Sequence, residues 1–166
     1  MTSLEDDRQI RNVLYRYCRG VDRLDLELVR SCYWPGAHDD HGAFKGDVDE
    51  FIDWIAKLLP RNAVTTHQLT NILIEGDGDD LAFVETYGMA DHQTPGGPPQ
   101  HNSTICFRYI DRFERRDGEW RIADRFCTTE WVRLHAQDTI YEPDERFERG
   151  TRDGTDRVFS SRSGPL

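Results

Sequence analysis

Over the first sixty residues the apolar positions return every three or four steps, and beyond them every second step. Ile10, Val13, Leu14, Tyr17, Cys18 and Val21 fall on one face of a helix that begins near Ser3 and runs to about Val21. "SLED" at its start has the form of a capping box, in which Ser3 and Asp6 satisfy each other's backbone donors. A short second helix is predicted from about Leu26 to Tyr33, with Leu26, Val29 and Tyr33 on one side. "WPGAHDDHGAFKGD" reads as loop with at most one short strand, because Pro35, Gly36, Gly42 and Gly46 interrupt it. Asp47 can cap a third helix, with Glu50 three residues on. The stripe of that helix is Phe51, Ile52, Ile55, Leu58 and Leu59, and Pro60 stops it.

From "TTHQLTNILIEG" onward the period is two, which is the period of a strand with one buried face. "GDGDD" reads as a tight turn, "LAFVETYGMADHQ" as the next strand, and "TPGGPPQ" as irregular loop. "NSTICFRYIDRFER" and "WRIADRFCTTEWV" form the last hairpin around "RDGE". Helices followed by a four-stranded antiparallel meander make an α+β domain over residues 1–141, with the helices covering one face and leaving a concave space. The polar tail, residues 142–166, is expected to be disordered or packed on a neighbouring subunit. On the later strands alternation alone leaves the inward face open. Thr86, Gly88, Ala90 and His92 share one side of theirs, and small residues there would leave room for a ligand.

The chain has 166 residues, enough for one domain with a real core. Its net charge of −10, with no basic block, argues against nucleic acid and against an anionic membrane surface as partners. No apolar run approaches the ~20 residues that span a bilayer, and "MTSLEDDRQI" lacks the apolar core of a secretion signal, so a cytoplasmic location is expected. Cys18, Cys32, Cys106 and Cys127 are scattered and read as core thiols. There is no G-x-G-x-x-G, no G-x-x-x-x-G-K and no G-x-S-x-G, so neither a nucleotide cofactor nor an acyl-enzyme is supported.

Two residues raise a chemical question. The stripe of the first helix runs into Asp22, where an unpaired charge is costly. On the strand that follows the helices, His67, Leu69 and Asn71 share a face. If Leu69 looks into the cavity, His67 does too, and Asp22 can hold the second nitrogen of its ring. An Asp so placed fixes the tautomer and steadies the imidazolium of a general base. The alternative is that Asp22 caps "RLDLEL" and His67 is an ordinary strand residue. In "HDDH", His38 to His41, Asp40 and His41 are the pair expected to point inward, as a second acid or as substrate contacts. A metal site there is the weaker reading, and none is expected. His92 and His101 flank the proline loop and read as surface residues. Trp54, Phe107 and Trp131 are candidates to line a flat hydrophobic pocket, which would suit a planar or polycyclic substrate.

"GVDRLD" closing the first helix, together with "FERRDGEWRIADR" as the last hairpin, resembles the SnoaL-like branch of the nuclear transport factor 2-like superfamily over roughly Asp6 to Arg133. That resemblance implies a cone-shaped α+β barrel in which helices pack on a curved, mostly antiparallel sheet. "GVD" with "TH…TN" is similar to the hexachlorocyclohexane dehydrochlorinases, the bile-acid 7α-dehydratases and the scytalone dehydratases, which are cofactor-independent lyases with an Asp–His pair. By this likeness Asp22 is the orienting acid and His67 the base. Tyr17 matches the place of a functional tyrosine in the bile-acid dehydratases, where the dehydrochlorinases carry a lysine. This tilts the expectation towards dehydration of a small aromatic or alicyclic molecule. The same parts serve a deformylating C–C lyase, an isomerase or a polyketide cyclase. Non-catalytic alternatives are a ligand-sequestering protein and an accessory chain such as the small subunit of a ring-hydroxylating dioxygenase. A homo-oligomer is expected, and the lyase resemblance favours a trimer.

Overall fold

A computed structural model describes residues 3–94, 102–135, 144–146 and 149–160. The chain runs through α1 (Leu4–Arg23), α2 (Leu26–Arg30), β1 (Tyr33–Asp40), β2 (Lys45–Asp47) and α3 (Val48–Leu58). A 3-10 turn at Leu59–Arg61 follows, then β3 (Val64–Asp77), β4 (Leu81–Gln93), β5 (Ser103–Arg116), β6 (Glu119–Leu134) and a short α4 (Arg157–Ser160). The strands form one six-stranded sheet in the order β2-β1-β6-β5-β4-β3. All pairs are antiparallel except β1 with β6, which is parallel. This is the α+β architecture expected, with α1 and α3 closing the concave side of an open curved sheet.

Both capping boxes form as the sequence implies, Ser3 with Asp6 on α1 and Asp47 with Glu50 on α3. The α1 stripe is buried from Ile10 to Val21 and packs on Val84, Phe113 and Ile122 of the sheet. The helix ends at Leu24, whose left-handed backbone (φ 58°) turns its amide back onto the carbonyls of Gly20 and Val21. Asp22 therefore sits in the last turn of α1, at the rim of the core. It does not cap the next helix, because Asp25 accepts from the Leu28 amide and does so instead.

Two expectations fail between residues 26 and 47. The second helix stops at Arg30, and Tyr33 opens a strand. "WPGAHDDHGAFKGD", read as loop with at most one short strand, carries most of the eight-residue β1 and all of β2. Pro35 and Gly36 are accommodated because β1 pairs β6 at Tyr33 and then, after a register shift, again from His38 to Asp40. The interrupting residues lie in the unpaired stretch between.

On β4 the small-residue face is the inward one, with Ala82, Thr86, Gly88 and Ala90 buried. The opposite, outer face of the sheet leaves Phe83, Ile110 and Phe126 between 41% and 51% exposed. Of the tail, Arg152 lies against this chain's own α1 and 3-10 turn, donating to backbone carbonyls of both, while Asp156 pairs with Arg23 at 3.2 Å. Among the described residues no helix is long and apolar enough to cross a membrane.

Candidate active site

The concave side holds a half-open cavity of about 190 Å³. Its walls come from α1 (Tyr17), α3 (Trp54, Ile55), β3 (His67), β4 (His92) and β5 (Phe107, Tyr109), with His41 reaching in just beyond β1. Gly88 makes part of the room, because the Phe107 ring lies where a β-carbon on residue 88 would stand.

His67 and Asp22 meet at the rim of this cavity. Asp22 Oδ1 lies 2.6 Å from His67 Nδ1, and Oδ2 accepts from the His67 backbone amide at 3.0 Å. The same carboxylate thus fixes both the ring and the strand that carries it. The two side chains are only 9% and 14% exposed, so the pair is largely screened from bulk water. With Nδ1 committed to Asp22, Nε2 is the ring nitrogen left for a ligand. The partner sought for the carboxylate at the end of the stripe is His67.

Beside it stands His92, expected at the surface but found on the cavity wall, 6.0 Å from the His67 ring in an edge-to-face arrangement. Its Nδ1 lies 3.3 Å from Thr65 Oγ1. Burial depresses its pKa to about 4, and the adjacent His67 pushes the same way, so His92 is a neutral imidazole near pH 7.

Across the cavity, β1 presents Ala37 and Asp39 inward and His38 and Asp40 outward, and His41 continues the inward series. The expected inward pair, Asp40 and His41, is therefore half wrong. Adjacent strand residues face opposite ways, and Asp40 turns out to accept from the Gly42 amide and pair with Lys45. The inward carboxylate is Asp39, wholly buried, which holds His41 Nδ1 through one oxygen and accepts from Tyr33 Oη at 2.7 Å through the other. His38 turns towards Asp124 on the outer side, so "HDDH" is split between two faces. Among the described residues no three His, Cys, Asp or Glu side chains converge as a metal site.

Tyr17 is buried, with its hydroxyl 3.5 Å from His41 Nε2. Burial drives its pKa far above the usual phenol range, so it stays an O–H donor. Trp54 and Phe107 line the cavity as expected. Trp131 does not. A register shift between Cys106 and Phe107 leaves Thr129 opposite Phe107 and Trp131 opposite Cys106, which turns Trp131 to the outer face at 43% exposure.

Sequence reasoning missed the charge beneath the site. Arg125 and Asp111 are both fully buried and joined by two bonds of 2.7 Å. The guanidinium carbon lies 3.9 Å from the Tyr109 ring centroid and 4.3 Å from that of Tyr17, cation–π contacts that partly compensate its desolvation. Arg125 thereby stiffens the two tyrosines that floor the cavity. Cys127 also lines the wall, but burial pushes its thiol up to about 12, so it is protonated and serves as packing.

A family model for the SnoaL-like domain matches residues 2–126. The chain belongs to the SnoaL-like domain family. Solved structures with the same fold include a type 2 hexachlorocyclohexane dehydrochlorinase (TM-score 0.75, 21% identity, covering 84% of this chain and 95% of that one). The type 3 dehydrochlorinase of Novosphingobium barchaimii LL02 is similar (TM-score 0.74, 20% identity, 84% and 97% covered). So is a putative scytalone dehydratase of Novosphingobium aromaticivorans (TM-score 0.67, 19% identity, 85% and 97% covered). No protein of curated function matches the sequence. At these identities the SnoaL-like likeness establishes the fold, and lyases are among the proteins that share it.

Proposed function

We propose that this SnoaL-like protein is a cofactor-independent lyase that removes a proton and then water from a small ring compound. The observation that carries the reading is the His67–Asp22 contact at the rim of an apolar cavity. His67 Nε2 takes a proton from a carbon next to an electron-withdrawing group, and Asp22 orients the ring and stabilises the imidazolium that forms. The C–H electron pair becomes the new C=C bond as the neighbouring C–O bond breaks. The departing oxygen, hydrogen-bonded by the N–H of neutral His92 beside His67, takes the proton from the His67 imidazolium and leaves as water, which returns the base to its neutral form. A hydroxyl leaving group needs such proton donors, whereas a halide does not, so the polar equipment favours dehydration over dehalogenation.

Single-ring β-hydroxy ketones, with and without a further oxygen across the ring from the carbonyl, are the compounds to assay, with enone formation as the readout. A positioned base contributes roughly 10²–10⁴-fold, so His67→Ala is expected to lose at least about 100-fold in turnover while keeping the far-ultraviolet spectrum of the parent. Unchanged turnover in that variant removes His67 from the mechanism. Tight ligand binding that is indifferent to Asp22→Asn, with no turnover of any compound, would replace the lyase reading with ligand sequestration.

A further inference from the structure

The cavity has two polar ends. At the β3 end stand His67 and His92. At the β1 end stand His41 and Tyr17, and β6, β5 and β4 lie between β1 and β3 in the sheet. The wall between the two ends carries the rings of Phe107 and Tyr109, tilted at 44° with their centroids 4.5 Å apart.

The β1 end is built as rigidly as the first. Both oxygens of the buried Asp39 carboxylate are engaged, one by His41 Nδ1 and the other by Tyr33 Oη. The His41 ring is held flat against Phe51, 5.0 Å away at 23°, so its remaining nitrogen has one direction in which to point. That nitrogen meets Tyr17 Oη at 3.5 Å, the outer limit of a hydrogen bond. An oxygen placed between them would give both groups a better partner than they give each other. Restraining a histidine with a wholly buried carboxylate is an arrangement with a desolvation cost, and a preorganised ligand contact offsets it.

Size narrows the ligand further. An enclosed apolar cavity of about 150 Å³ takes up benzene, so about 190 Å³ accommodates one ring with its substituents.

We infer that the cavity recognises a single six-membered ring bearing oxygen on opposite sides, one oxygen held between His41 and Tyr17 and the other end presented to His67. Asp39 is a positioning residue that acts through His41. The inference names a substrate class for the site proposed above and rests on that cavity being the active site. It replaces the polycyclic substrate that the count of aromatic residues suggests.

Binding tests it without turnover. Calorimetric titrations of the whole chain with hydroquinone, catechol, phenol and 1-naphthol would report the pattern. Completing a buried hydrogen bond changes affinity by roughly tenfold, so hydroquinone is expected to bind about tenfold tighter than phenol and catechol, and 1-naphthol weakest. His41→Leu is expected to erase the hydroquinone advantage and leave phenol affinity within about twofold. Tyr17→Phe, which removes a single oxygen and keeps the shape, should erase most of it should His41→Leu fail to fold. Equal affinity for hydroquinone and phenol, an advantage untouched by either variant that folds, binding of none of the four, or tightest binding of 1-naphthol would each overturn the inference. A hydroquinone advantage that depends on His41 while His67→Ala keeps full turnover would sink the lyase chemistry and leave the recognition claim standing.

Discussion

At the residue scale, the site depends on how each polar side chain that leaves water is compensated. Asp22 has a histidine, Asp39 a histidine and a tyrosine, and Asp111 an arginine. His92 has the neutral hydroxyl of Thr65, and burial keeps it neutral, with its pKa moved from 6.5 to about 4. The sign of the consequence follows. As pH falls through 6.5 the unfolded chain takes up a proton at His92 that the folded chain refuses until about pH 4. Stability contributed above pH 6.5 is therefore lost between those two values, by an amount on the order of 2–3 kcal/mol after solvent screening. His92→Gln, which cannot titrate, should lose correspondingly less. Urea midpoints from pH 7 to pH 4 would show it, and parallel declines in the two proteins would remove His92 as the cause. His92 was not legible in the sequence because it borders a proline-rich loop, where histidines are ordinarily exposed. Asp22 and His67 were legible for a physical reason. A charge at the end of an apolar stripe needs a partner, and alternation on β3 puts His67 on the same face as Leu69. The choice of Asp40 over Asp39 overlooked that same alternation, since an inward His41 requires an inward Asp39.

At the scale of elements, helices were easier to read than strands. The helical stripes and both capping boxes are local patterns, whereas a strand's inward set depends on register, and register shifts leave no mark in composition. One shift on β3 between Leu69 and Ile72 turns Asn71 outward, although strict alternation groups it with His67. Another removes Trp131 from the cavity. Arg125 escaped notice in "IADRF" because an arginine next to the exposed Asp124 looks like surface until β5 brings Asp111 opposite it. The inward run of small residues on β4 has a direct test. Gly88→Ala places a methyl group against the Phe107 ring, which can yield only into the cavity or the core. Overpacking of this kind costs typically 1–3 kcal/mol. The variant should remain folded with a modestly lower Tm and bind phenol at least about fivefold more weakly, as read by the same titrations. Unaltered phenol affinity would show that the Phe107 wall does not set the room available.

At the scale of the whole molecule, the α+β class followed from helices coming first and strands after. The six-strand topology did not follow, because the parallel pairing of β1 with β6 joins segments far apart in sequence and gives neither strand a local signature. The tail shows the same limit. Its polarity says nothing of which residue would hold it, and among its described residues one side chain ties it to the site. Arg152 donates to the carbonyls of Val21 and Asp22 at 3.3 and 3.0 Å and to those of Leu59 and Asn62 at 2.9 and 2.6 Å. It therefore adds a donor to the Val21 carbonyl, which already accepts from the Leu24 amide, and one to that of Asp22, and it clamps the end of α1 to the 3-10 turn. Because Asp22 is one of the residues clamped, the tail sets the position of the carboxylate that holds His67. Water can replace a guanidinium at partly exposed carbonyls, so Arg152→Met should lower stability by only about 1–2 kcal/mol. Turnover should fall further than that loss of stability would explain. Removing residues 149–166 also takes away the Asp156–Arg23 ion pair, so it should lower both stability and turnover at least as far. Urea unfolding and turnover measured on the two variants side by side decide the matter. If deletion costs far more than Arg152→Met, the anchor lies elsewhere in the tail; if neither changes turnover, α1 holds Asp22 in place unaided.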